Sequence, residues 1–176
     1  KNTVKKKRAE KPSPRSTTEL EILLREYSEQ VTKDPPSRRW DVRPERYAKA
    51  REILDLPKDD QFATVLLALP EKTPETLRLI EKLIRRNLFI NEERLRQFIE
   101  VWLGAELSVY FVSLARVVTS LEKVSEKDGF TNEMVTLLHK WVDNIGYVSG
   151  ATESSQIRRV RTLLQQYGDM EIQVVR

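Results

Sequence analysis

Residues 73–86 read TPETLRLIEKLIRR, and this stretch decides the fold class. Thr73, Pro74 and Glu75 stand as a capping hydroxyl, a proline with a preset φ and an acid for the first turn, the order in which a helix opens. Leu77, Ile80, Leu83 and Ile84 then recur at steps of three and four, so the spacing predicts a helix with one buried stripe. Arg78, Lys82 and Arg85 share another face of it, and Arg86 follows.

The same grammar extends in both directions. Upstream, Ser16 with Glu19 forms a capping box, and a first helix carries Leu20, Leu23, Leu24, Tyr27 and Val31 to the stop at Asp34-Pro35-Pro36. A loop, Ser37 to Val42, leads to a second helix opened by Pro44 and burying Tyr47, Ala50, Ile53 and Leu54, ended by Pro57. A third runs from about Asp59 to Pro70 with Phe62, Val65, Leu66 and Leu69 inward. Downstream, Asn91-Glu92-Glu93 opens a fifth helix with Leu95, Phe98, Ile99 and Trp102, closed by Gly104. A sixth is expected from about Ala105 to Ser125, with Leu107, Tyr110, Phe111, Leu114, Val118 and Leu121 inward; Val109, Val112 and Val117 widen its stripe, as in a central helix. Asp128-Gly129 breaks the chain. Thr131 caps a seventh helix with Met134, Val135, Leu138, Trp141, Val142 and Ile145, ending at Gly146. After a loop, Ser154 or Ser155 caps an eighth with Ile157, Val160, Leu164 and Tyr167, ended by Gly168.

About eight helices on short turns marked by Pro or Gly imply an all-α domain, an antiparallel bundle or an irregular HEAT-like stack of helical pairs, over residues 17–168. No internal repeat is present. Residues 1–16 have only Val4 and Ala9 as apolar anchors and are expected to form a disordered basic tail. Residues 169–176, with Met170, Ile172 and Val174 alternating, read as a C-terminal tail or short strand. Numbering opens at Lys1 inside a lysine run, as expected for a piece of a longer chain.

The 176 residues carry a net charge of +4, but unevenly. Residues 1–16 hold seven Lys and Arg against Glu10, and the remaining 160 carry 24 basic and 26 acidic groups. The basicity therefore belongs to the tail.

Several chemistries find no residues. With no cysteine there are no disulfides, thiolate zinc sites or cysteine nucleophiles. His139 is the one histidine; with Asp143 at i+4 it reads as a surface pair rather than a catalytic dyad. One His with no Cys leaves only carboxylates for a metal, so no metal and no cofactor are expected. Asp59-Asp60 and Glu92-Glu93 sit where helix N-termini favour negative charge. The five glycines are scattered, so no phosphate-cradling loop is built, and Ser108, Ser154 and Ser155 have no base pattern around them. No apolar run approaches the roughly 20 residues of a bilayer span; Val109 to Val118 is broken by Ser113 and Arg116. We expect no enzyme and no membrane partner.

Three basic features remain as candidate binding elements. Lys5, Lys6, Lys7 and Arg8 match a short nuclear-import signal, and the same residues suit nonspecific contact with nucleic-acid phosphates. Ser13-Pro14 beside them offers a proline-directed kinase a phosphate site. Arg39, Trp40 and Arg43 interleave cations with an aromatic, as backbone-and-base binders do; a simpler reading tucks Trp40 under the second helix. The third is Arg78, Lys82, Arg85 and Arg86 with Arg158, Arg159 and Arg161 of the eighth helix, one patch if the two helices adjoin. The layout resembles small helical modules of transcription and chromatin factors that dock short acidic–hydrophobic motifs. The expectation is a scaffold domain of a larger intracellular protein, nuclear rather than cytoplasmic, that binds an acidic, hydrophobic partner segment. The alternative is a nucleic-acid binder using tail and Arg-rich helices.

Overall fold

The computed structural model describes residues 14–105, 114–148 and 155–168. All the regular structure in them is helical: α1 (Thr17–Lys33), α2 (Ala48–Leu54), α3 (Lys58–Ala68), α4 (Pro74–Ile84), α5 (Glu92–Ala105), α6 (Leu114–Asp128), α7 (Asn132–Val148) and α8 (Ser155–Gln165). Short 3-10 turns at Pro44–Arg46 and Leu69–Glu71 precede α2 and α4.

The caps act as side-chain chemistry dictates. Ser16 Oγ accepts the Glu19 N–H at 3.2 Å, and Asn91 Oδ1 accepts that of Arg94 at 3.0 Å. Thr73 and Thr76 exchange hydroxyl and backbone bonds reciprocally at the start of α4. Thr131 Oγ1 accepts the Met134 N–H, while Glu92 from the first turn of α5 takes both the Thr131 N–H (2.7 Å) and its hydroxyl (3.0 Å). Gly129 ends the α6 connection at φ +70°, a backbone conformation in which a Cβ costs roughly 1–2 kcal/mol.

Packing runs in two groups. In the first, α1 lies against α2, α3 and α4, and α3 against α4; in the second, α5 packs mainly on α7, and α8 on both α6 and α7. The helix that joins the groups is α5, which touches α3 and the Leu69–Glu71 turn. Edge-on aromatics follow the same seam: Phe62–Phe89 (6.2 Å between centroids), Phe89–Phe98 (4.8 Å), Phe98–Trp102 (5.7 Å) and Trp102–Trp141 (5.6 Å) carry the core from α3 to α7. Buried side chains form one cluster from Leu20 in α1 to Leu164 in α8.

The inward stripes of the first, second, fifth and seventh helices are buried at every expected position. Elsewhere the structure differs. On α4 the buried stripe is Thr76, Leu79, Ile80, Leu83 and Ile84, and Leu77 is only partly covered. Pro44 opens a 3-10 turn, not the second helix. Tyr47 interrupts the chain with extended backbone (φ −105°, ψ 131°), which lets its ring pack edge-on against Tyr27 and its hydroxyl donate to the Asp34 carbonyl at 2.6 Å. The helix then starts at Ala48, with Gln30 Oε1 of α1 accepting the Lys49 N–H. Ala105 belongs to α5, and α6 runs past Ser125 to Asp128. Gly146 does not end α7, which continues to Val148; a single interior glycine costs about 1 kcal/mol, too little to stop a well-packed helix. Leu107, Val109, Tyr110, Phe111 and Val112, Ser108, Ser154, the C-terminal 169–176 and most of the basic tail lie outside the described residues.

Candidate functional site

The loop after α1 and the outer face of α4 meet in a cleft of about 690 Å³. Its geometry starts at Pro35-Pro36, which cannot continue a helix. An Asp41 N–H to Arg38 carbonyl bond (2.9 Å) turns the loop, and Val42 and Pro44 are buried and anchor it. Between these fixed points Trp40 is left 52% exposed, so it is not tucked under α2.

Arg78 fastens the loop to the helix. Its Nε donates to the Trp40 carbonyl at 3.1 Å, and its guanidinium meets Glu81, whose side chain is only 11% exposed, at 3.2 Å. Lys82, a turn further on, reaches Glu45 at 2.9 Å. Partial burial pushes the Glu45 carboxyl up, but the Lys82 ammonium, the local backbone and Arg43 outweigh it and hold the group below its ordinary value. Arg43 from the loop and Arg85 from the C-terminal end of α4 also line the cleft. Both are exposed, and neither has an ion-pair partner among the described residues. Four cations thus face three carboxylates, Asp41, Glu45 and Glu81, around one exposed indole.

Two of the sequence-level candidates therefore merge into one site: Trp40 and Arg43 of the loop stand with Arg78, Lys82 and Arg85 of α4, while Arg39 is exposed on the loop beside them. Arg86 turns away and donates to the Leu54 carbonyl at 2.7 Å, closing the C-terminal end of α2. The α8 arginines are elsewhere, because α8 packs on α6 and α7 while α4 packs on α1 and α3. The two basic faces do not form one patch. Arg159 is committed to α6, where it pairs with Glu122 and donates to Thr119 Oγ1 at 3.1 Å. Arg161 approaches Asp143 of α7 at 3.6 Å, so the acid read as a partner for His139 faces α8. Arg158 is exposed at a second groove of about 450 Å³ between α6 and α8, with Glu126 on its rim. Lys5, Lys6, Lys7 and Arg8 fall outside the described residues.

The paired carboxylates serve the fold. Asp60 is buried and accepts the Arg15 N–H at 3.1 Å, tying the start of α1 to α3, and Asp59 pairs with Arg94. Glu45 had no sequence signal as a site residue, because its partner Lys82 comes from another element, whereas Glu81 stands three residues after Arg78, a helical pairing distance that could have marked it. Among the described residues no group of three or more His, Asp or Glu is placed to hold a metal ion, and no helix is long and apolar enough to cross a membrane. Compared with protein-family models, with curated proteins and with solved structures, the chain matches none.

Proposed function

We propose that the protein is a non-catalytic helical interaction module, and that the Trp40 cleft docks an acidic segment of a partner protein carrying a few apolar anchors. The observation that carries the reading is the half-exposed Trp40 held against α4 beside Arg43 and Arg85, two cations without ion-pair partners among the described residues. An exposed indole on an anchored backbone offers large apolar contact area, and arginine forks take carboxylates bidentately. The three carboxylates of the cleft favour a peptide over a nucleic acid. A peptide can set apolar residues opposite Asp41 and Glu81 and its own acids opposite Arg43 and Arg85. A phosphodiester chain carries a charge at every step and has no such freedom. In this reading Lys5-Lys6-Lys7-Arg8 directs the module to the nucleus, which a fluorescent fusion with these four residues changed to Ala tests by loss of nuclear signal.

The docking test titrates the whole chain into a labelled, capped twelve-residue peptide of alternating Asp/Glu and Leu/Phe, with a single-stranded oligonucleotide in parallel. Trp40→Ala and Arg85→Glu should each weaken the peptide by roughly tenfold or more, as anchor and charge-reversal changes do. Arg158→Glu should not. Unchanged peptide affinity in both cleft variants, with helicity intact, refutes the site. Oligonucleotide binding that depends on Trp40 and Arg85 while the peptide fails would assign the cleft to nucleic acid.

A further inference from the structure

We infer that Glu45 is a built-in competitor that occupies, in the free protein, the position on Lys82 that a partner's carboxylate takes on binding; the inference rests on the docking reading above. The two cations of α4 that carry ion pairs in the cleft are held very differently. Arg78 is fixed by a carbonyl on one side and by the nearly buried Glu81 on the other. Lys82 holds Glu45 at 2.9 Å across the cleft, with side chains 40% and 49% exposed, and the two residues come from different elements. An ion pair so exposed is weak, because water screens it and two long side chains must be ordered to form it, so it exchanges readily. Apart from Lys82, Glu45 has its own backbone and the charge of Arg43 to hold its carboxylate, both on the same short stretch of chain. Its backbone carbonyl, not its side chain, accepts from Arg51, and it rides on a single 3-10 turn of three residues. Pairing with Lys82 helps to keep its carboxyl below the ordinary range, so it is fully charged at neutral pH and repels any acid entering between Lys82 and Arg85. Binding is then an exchange. A partner carboxylate takes Lys82, and Glu45 turns out into solvent.

Removing the charge but keeping the shape should open the site. Using the peptide described above and the whole chain, Glu45→Gln should bind about three- to fivefold more tightly than the natural protein, and Glu45→Asp within about twofold of it. In a Lys82→Met background the gain from Glu45→Gln should largely vanish, because there is no ammonium left to contest. A natural protein that binds while Glu45→Gln binds equally or less tightly overturns the competitor and leaves the docking site standing. A full gain in the Lys82→Met background also overturns it, since it reduces Glu45 to a diffuse negative charge. If neither the natural protein nor Glu45→Gln binds, the docking reading itself fails.

Discussion

Trp40 sits in a run that permits either burial or exposure, and its surroundings decide its optical behaviour. Trp102 and Trp141 are buried, so Trp40 alone among the three is open to solvent. Acrylamide should therefore quench one third of the indoles readily, and saturating peptide should protect that component; quenching unchanged by Trp40→Ala would mean the exposed indole is another. Leu114 of α6 is 3% exposed, and Leu114→Ala should cost about 2–5 kcal/mol in urea unfolding; a loss under about 0.5 kcal/mol would contradict its burial. Tyr27 titrates well above its ordinary value, first because it is buried and then because Glu75, Tyr47 and Glu45 lie near. Its folded state keeps a proton that the unfolded chain releases at about pH 10. The stability from Tyr27 is thus complete below about pH 10 and declines as pH rises further. Tyr27→Phe, which gives up the bond to the Glu75 carbonyl, should be less stable at neutral pH yet lose less between about pH 9 and 11; parallel curves would exclude Tyr27 as the titrating group.

At the scale of elements, two arginines one residue apart on α8 make opposite predictions. Arg159 pins α8 to α6 through Glu122 and Thr119, whereas Arg158 has no ion-pair partner among the described residues. Arg159→Met keeps the apolar stem and removes the head, so it should destabilise by roughly 0.5–1 kcal/mol, modest because the pair is partly solvated. Hydrogen exchange should speed up in α8 before α1. Arg158→Glu should change stability by less than about 0.5 kcal/mol. Equal effects of the two would mean that Arg159 is as solvated as its neighbour. The helices themselves were legible from capping and period, because both are set within a few residues of each other. At Pro44 the local start signal loses to the extended backbone that buries Tyr47, and at Gly104 and Gly146 a glycine costing about 1 kcal/mol does not stop a packed helix.

For the whole molecule, charge is partitioned along the chain. Residues 14–176 carry 25 basic and 26 acidic groups, so removing residues 1–13 leaves a nearly neutral protein. Nucleic-acid affinity of the intact chain should fall steeply with salt, and that of the shortened chain should be weak and nearly flat, because few counterions are released. Steep salt dependence surviving the truncation would place the phosphate contacts on the helices. The cut spares Arg15, whose N–H is held by Asp60, and the Ser16 cap, so the fold should be retained in circular dichroism.

What the sequence by itself determined is the set of short-range quantities: which segments coil, which stripe of the first, second, fifth and seventh helices turns inward, and that Arg78, Lys82 and Arg85 share a face. What only the tertiary structure decided is adjacency. Nothing in residues 38 to 43 says that Arg78 will take the Trp40 carbonyl, nor in α4 that α8 will lie elsewhere, because helix partners are chosen by the fit of whole apolar stripes across the core. The same arginines are therefore a cleft lining, a helix-end clasp or a strut between helices according to which neighbour that fit delivers.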